Sequence, residues 1–216
     1  MSKIKFYLLF LGLILILLFS FSITEDKTKI IFEINSINSY WADIFFKYIT
    51  YLGSGIFLGL IALISFFKQR FIFYTTLVSI VLLLIFVNIS KVIVKEPRPL
   101  AFFEQKEIET KDLHKVEGVE IHRNNSFPSG HSATAAAIFT ILAVWTAQKK
   151  FILQFLYISI VLCVAYSRLY LLQHFLLDVV VGMALGLGIV VWAYYFLKYV
   201  LKIEYKKTSK TYKVNV

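Results

Sequence analysis

The sequence predicts an all-α, polytopic membrane protein with six transmembrane helices and both termini cytoplasmic, and three observations carry that reading. The first is composition. Of 216 residues, 59% are hydrophobic and 17% charged, with a mean hydropathy of +0.75. A water-soluble domain runs about 45–50% apolar and about 25% charged, so this chain carries more apolar side chain than one core can hide. The second is a series of uncharged apolar runs, and the third is an uneven division of basic residues between the connections that join them.

The runs cover residues 6–23, 48–67, 71–90, 132–148, 151–167 and 179–197, with lengths of 18, 20, 20, 17, 17 and 19. A helix crosses a bilayer with about 17–25 apolar residues, and mostly short connections join these runs into one domain spanning 1–216. The first run follows Lys3 and Lys5, as a signal peptide would. It is longer than a signal-peptide core, however, and no small-residue cleavage site follows in 19–26, so it is expected to stay as the first helix. Residues 31–47 mix polar and apolar side chains, and Tyr40, Trp41, Phe45 and Phe46 predict an interfacial helix there. In the second run, Gly53, Gly55 and Gly59 predict close helix packing. The single cysteine, Cys163, lies inside the fifth run. It forms no intrachain disulfide and reads as a small buried apolar residue.

Orientation follows from the basic residues. Lys3, Lys5, Lys68, Arg70, Lys149, Lys150 and the six lysines from Lys198 onward fall on one side, 12 in all, against one acid, Glu204. The other side keeps 11 basic and 12 acidic residues. Lys and Arg accumulate on the cytoplasmic side of membrane proteins, so the first set is cytoplasmic. The formal charge of +10 is therefore a topology signal and no evidence for nucleic acid, which is not expected as a partner.

Three polar clusters fall on the opposite face. The first leaves the third span: Lys91, Lys95, Glu96, Pro97, Arg98 and Pro99. Taken alone it is a set of snorkelling anchors, with Lys95 and Glu96 as interfacial charges, but the flanking prolines hold Arg98 in extended backbone and aim its guanidinium. The second enters the fourth span: Ser126, Pro128, Ser129, Gly130, His131 and Ser132. Taken alone it is a helix cap. Free N–H groups at a helix start also bind anions; Gly130 permits close approach and Ser129 adds a donor. The third runs from Ser167 and Arg168 to His174 and Asp178. If a helix starts near His174, Asp178 lies one turn on and can orient the imidazole, leaving its other nitrogen as a nucleophile. Taken alone, the pair caps a helix.

With Lys95 and Glu96 set apart as interfacial charges, the clusters supply Lys91, Arg98 and Arg168 as cations, His131 and His174, and the Asp178 carboxylate. A phosphoryl group in transfer spreads negative charge over its equatorial oxygens and needs such a cage. A metal phosphatase would call for several carboxylate ligands, whereas Asp178 is the only acid at the core of these clusters. No metal or other cofactor is expected.

These residues resemble the type 2 phosphatidic acid phosphatase superfamily of membrane lipid phosphatases, whose signatures are Lys-x6-Arg-Pro, Pro-Ser-Gly-His and Ser-Arg-x5-His-x3-Asp. The chain carries all three between Lys91 and Asp178. The resemblance implies a metal-independent mechanism in which His174 attacks phosphorus to form a phosphohistidine, Asp178 orients it, and His131 protonates the leaving oxygen and later helps activate water. Lys91, Arg98, Ser129, Gly130 and Arg168 would hold the phosphate, and Ser167 would be structural. The partners it implies are the bilayer and a lipid phosphate, at the outer face of a bacterial inner membrane. Undecaprenyl diphosphate comes first among the substrates the resemblance suggests, followed by phosphatidylglycerophosphate, phosphatidate and lipid A phosphates. A phosphotransferase would use the same residues, and a lipid-phosphate binder or transporter would need only the cations. The polar stretch 101–127, with His114, His122 and Arg123, reads as a solvated loop or as a cover for the headgroup. Tyr170 and Gln173 lie inside the third motif, where they could touch a headgroup, and the sequence does not decide it. The sequence leaves the oligomeric state undetermined.

Overall fold

A computed structural model describes residues 1–147 and 150–203. Its helices are α1 (Lys5–Thr24), α2 (Lys27–Ser36), α3 (Tyr40–Ile49), α4 (Gly55–Lys68), α5 (Arg70–Val94), α6 (Pro99–Gln105), α7 (Gly130–Thr146), α8 (Phe151–Tyr170) and α9 (Leu176–Tyr195), and no strand occurs among the described residues. Lys149, Glu204 and the lysines beyond it, all counted in the charge argument, lie outside the described residues, as does Gln148 at the end of the fourth expected span.

Polar residues at the helix starts let the chain reverse without orphaned N–H groups. Asp26 accepts from the N–H groups of Thr28 and Lys29, which hold its carboxyl below the ordinary carboxylate range. Ser39, Ser54 and Gln69 cap α3, α4 and α5 in the same way.

Among the described residues four segments are long and apolar enough to cross a membrane, Lys5–Thr24, Arg70–Gln105, Phe151–Tyr170 and Leu176–Val200, or five if the bent pair described below is one span. Their outer faces expose Leu9, Ile16, Leu84 and Ile152, a continuous apolar surface that water does not tolerate but lipid does. The second expected span differs from a straight helix. It is a bent pair, Tyr40–Gly53 and Gly55–Lys68, meeting at 49°, with a 3₁₀ turn at Thr50–Gly53 between α3 and α4. α3 carries Asp43 and Lys47 and overlaps the stretch expected at the interface, so the bend at Thr50–Gly53 falls beside the boundary between that stretch and the second apolar run. In α3, Tyr40 and Trp41 are exposed at one end, in keeping with the expected interfacial helix. The fourth expected span is α7, 17 residues long and buried along most of its length.

Close packing centres on α7 and α9, and the glycines that permit it are not the expected three. A Cβ on Gly182 would lie 2.5 Å from the Ser129 carbonyl oxygen, and one on Gly186 would collide with the Ala133 carbonyl. Of the expected set only Gly53 is tight, 2.5 Å from the His131 carbonyl oxygen, while Gly55 and Gly59 have open space. At the far end of the bundle, buried Gln154 accepts from the Tyr7 N–H and donates to the carbonyls of Lys3 and Ala147. The start of α1 is thereby fastened to the α7–α8 turn.

Candidate active site

The end of the bundle opposite Gln154 gathers the C-terminal end of α5, the N-terminal end of α7, the C-terminal end of α8 and the N-terminal end of α9. All eight candidate residues lie in these ends or in the segments between them. Lys91, Arg98, His131, Arg168 and His174 are within electrostatic reach of one another.

Lys91 occupies the last turn of α5, which ends on Lys95 in left-handed backbone (φ 51°). Its ammonium has no partner among the described residues. Arg98 follows in extended backbone (φ −75°, ψ 164°), with Pro99 starting α6. Its guanidinium is fixed on two sides: Nε donates to the Asn124 carbonyl at 3.0 Å, and Nη1 donates to the Gln173 carbonyl and to its side-chain Oε1, the latter at 2.6 Å. Gln173, buried, also donates to the Glu120 carbonyl. It therefore aims Arg98. Tyr170 donates to Asp43 instead, so the side chains of both are engaged with protein groups.

Ser129 caps α7, accepting from the Ser132 N–H, and the two hydroxyls lie 2.9 Å apart. The Ser129 N–H donates to the Asp178 carbonyl at 2.9 Å, joining the start of α7 to α9. Gly130 opens α7, and a Cβ there would meet only Val87, at 3.8 Å. The His131 ring, in the same first turn, makes no hydrogen bond with a described residue.

Arg168 closes α8 and is 6% exposed. Its Nη1 donates to Thr50 Oγ1 at 2.7 Å, and its buried Nε has no hydrogen-bond partner. A buried N–H left unpaired is costly and calls for an explanation. The Arg168 carbonyl accepts the N–H groups of both Gln173 and His174, closing a tight turn with Leu172 in left-handed backbone (φ 55°). This turn sets His174 just before α9, which starts at Leu176 rather than at His174. His174 is 2% exposed. Burial first, and then the charges of Arg168, Arg98 and Lys91, hold its imidazole well below its ordinary pKa, so it is neutral at pH 7.

Asp178 Oδ2 lies 3.6 Å from His174 Nδ1, beyond a direct hydrogen bond. It accepts instead from the Phe175 N–H at 2.9 Å and from the Ser126 hydroxyl at 2.5 Å.

Thr50, which the sequence did not single out, and Ser126, which stood in the second cluster without a role, both shape the site. Thr50 fixes Arg168 from 118 residues away, and the 3₁₀ turn that carries Thr50 also presses Gly53 on the backbone of His131. Ser126 bridges to Asp178. The stretch 101–127 is pinned down rather than freely solvated: Phe103, Leu113 and Val116 are buried, His114 bonds Asp43, and Arg123 pairs with Glu104. Glu96 pairs with Lys27 at 2.8 Å.

The sequence model of the PAP2 superfamily matches residues 72–202, more than half the chain and every element that carries the site. The chain belongs to the PAP2 superfamily. With that membership comes an enzyme class, hydrolysis of phosphate esters. Among solved structures, the PAP2 chain resembles LpxE of Aquifex aeolicus, at 27% identity over 79% of this chain and 94% of that one, with a TM-score of 0.64. It also shares its fold with a transmembrane PAP2-type phosphatidylglycerolphosphate phosphatase from Bacillus subtilis, at 24% identity over 94% and 98% of the two chains, with a TM-score of 0.55. No curated protein sequence matches it.

Proposed function

We propose that this PAP2 protein is a metal-independent lipid phosphate phosphatase that works through a phosphohistidine on His174. The observation that carries the proposal is a buried cage of cations whose donors are only half used. Arg98 and Arg168 are each held by protein acceptors, yet Arg168 Nε and the half-buried Lys91 ammonium have no partner among the described residues. A tetrahedral phosphate satisfies such donors and repays their burial. Gly130 and the α7 N-terminus, capped by Ser129, add N–H groups on another side. In this reading neutral His174 attacks phosphorus, Asp178 stabilises the imidazolium that forms, and His131 protonates the departing oxygen. Water, activated by His131, then releases phosphate.

The reading extends to the membrane. α1, the bent α3–α4 pair, α5, α7, α8 and α9 make six spans, with both termini cytoplasmic and the cage on the outer face of a bacterial inner membrane. Lys3, Lys5, Lys68, Arg70 and Lys150 belong to the end away from the cage, as the positive-inside rule requires. Undecaprenyl diphosphate is the first substrate to test, ahead of phosphatidylglycerophosphate, phosphatidate and lipid A phosphates.

Purified protein in EDTA should release phosphate from a lipid diphosphate, and brief incubation with labelled substrate should leave acid-labile, alkali-stable label on the protein. Strict dependence on added magnesium, or no labelled protein under rapid quench, would sink the mechanism. Gly130→Ala supplies a local check. The added methyl has room against Val87 and favours helix, so the fold should be kept. A phosphate resting on that backbone would be pushed away, raising KM about tenfold, or about 1.4 kcal/mol. An unchanged KM would remove Gly130 from the phosphate site.

A further inference from the structure

We propose that Ser126 is a positioning residue that links His174 to Asp178 and fixes which ring nitrogen of His174 is free. This rests on the reading of His174 as nucleophile and adds a component to it. The three side chains are all but sealed from solvent, Ser126 at 0%, Asp178 at 1% and His174 at 2% exposure. Ser126 Oγ lies 2.5 Å from Asp178 Oδ2 and 3.4 Å from His174 Nδ1, while the direct His174–Asp178 separation is 3.6 Å. An ionised carboxylate only accepts, so the short contact makes the Ser126 hydroxyl the donor to Asp178. Its oxygen then keeps lone pairs for one further donor, and the group facing it is His174 Nδ1. A proton on Nδ1 leaves Nε2 with the lone pair that attacks phosphorus.

The wider geometry supports the same order. Asp178 Oδ2 is already held by the Phe175 N–H, which anchors the carboxylate to the start of α9 rather than to the imidazole. The Ser126 N–H donates to the Glu96 carbonyl at 2.8 Å, so the segment carrying the hydroxyl is itself fixed to the stretch that presents Arg98. When His174 becomes cationic in the phosphoenzyme, its charge is felt by Asp178 through the hydroxyl dipole. The arrangement thus serves the phosphorylated state more than the free enzyme. The Ser126 backbone also offers His174 a hydrogen bond, which is the competing way for this segment to act.

The test is a double-mutant cycle in detergent or nanodiscs, reading kcat, KM and the rate of phosphoenzyme formation. Ser126→Ala should lower kcat about 10- to 100-fold, the scale of one hydrogen bond to a charged group, with KM within about twofold. Asp178→Asn should lower kcat as well. If Ser126 acts through Asp178, adding Ser126→Ala to Asp178→Asn should cost less than about threefold more. Ser126→Cys, close in volume but a poor donor, should behave as Ser126→Ala does and serves if the alanine variant fails to fold. Near-normal kcat in either folded variant assigns the orienting bond to the Ser126 backbone and overturns the proposal. So do losses that multiply in the double variant. Failure of the underlying mechanism would look different, as turnover that survives loss of the His174 imidazole.

Discussion

Replacing His174 by alanine is expected to remove turnover, by about 10,000-fold or more on the scale of lost nucleophiles, while leaving a folded protein. The second half of that expectation comes from the hydrogen bonds. Asp178 keeps its contacts with Ser126 and the Phe175 N–H when the imidazole is gone, so no carboxylate is stranded in the interior. The turn that carries residue 174 is closed by backbone, through the Arg168 carbonyl. Phosphate release measured beside size-exclusion profile and melting temperature separates the two effects. Activity within tenfold of the parent would remove His174 from the chemistry, whatever the fate of the label experiment.

The largest structural effect is expected at Gly186. A methyl there meets the Ala133 carbonyl and lies 3.1 Å from the Ala137 nitrogen, and both are backbone atoms of a helix that cannot yield locally. Gly186→Ala should therefore force α7 and α9 apart, costing about 3 kcal/mol, the upper part of the range for overpacking. The loss should reach the site as well, because the Ser129–Asp178 backbone bond spans the same two helices. Gly188→Ala is the matched control, since nothing lies within 4 Å of its Cβ position; its melting temperature should stay near the parent's. Equal melting temperatures for the two variants would show that the α7–α9 contact tolerates expansion.

The contrast between glycines also shows what the sequence could reveal. Gly53, Gly55 and Gly59 look alike in a hydropathy run, and only the structure shows that Gly53 alone touches another backbone. Apolar length was legible, because crossing a bilayer imposes it residue by residue. The bend at Thr50–Gly53 showed only as the boundary between the mixed stretch 31–47 and the second apolar run; that the two helices meet as one bent pair did not. The same division holds in the site. Lys91, Arg98, His131, Arg168, His174 and Asp178 stand at spacings that local chemistry makes conspicuous. Thr50, Ser126 and Gln173 act across 118, 52 and 75 residues; Ser126 and Gln173 stand beside the motifs in sequence, but the groups they hold come to them only in the fold. The start of α9 falls at Leu176, close to the expected place, and His174 belongs to a tight turn closed locally by the Arg168 carbonyl.

The bonds that tie the site together also set the order in which it can come into being during synthesis. Arg98 takes its direction from Gln173, and Ser126 and Ser129 both reach forward to Asp178. Every one of these partners is translated after the groups it holds, and α9 emerges after all the other elements of the site. Until that helix has entered the bundle, Arg98 and Arg168 already have Asn124, Gln173 and Thr50 in the chain to hold them, but Ser126 and Ser129 lack Asp178, and Gly182 and Gly186 are not yet against α7. On the proposed reading, the carboxylate beside His174 and the α7–α9 contact therefore arrive together, with the last helix of the site.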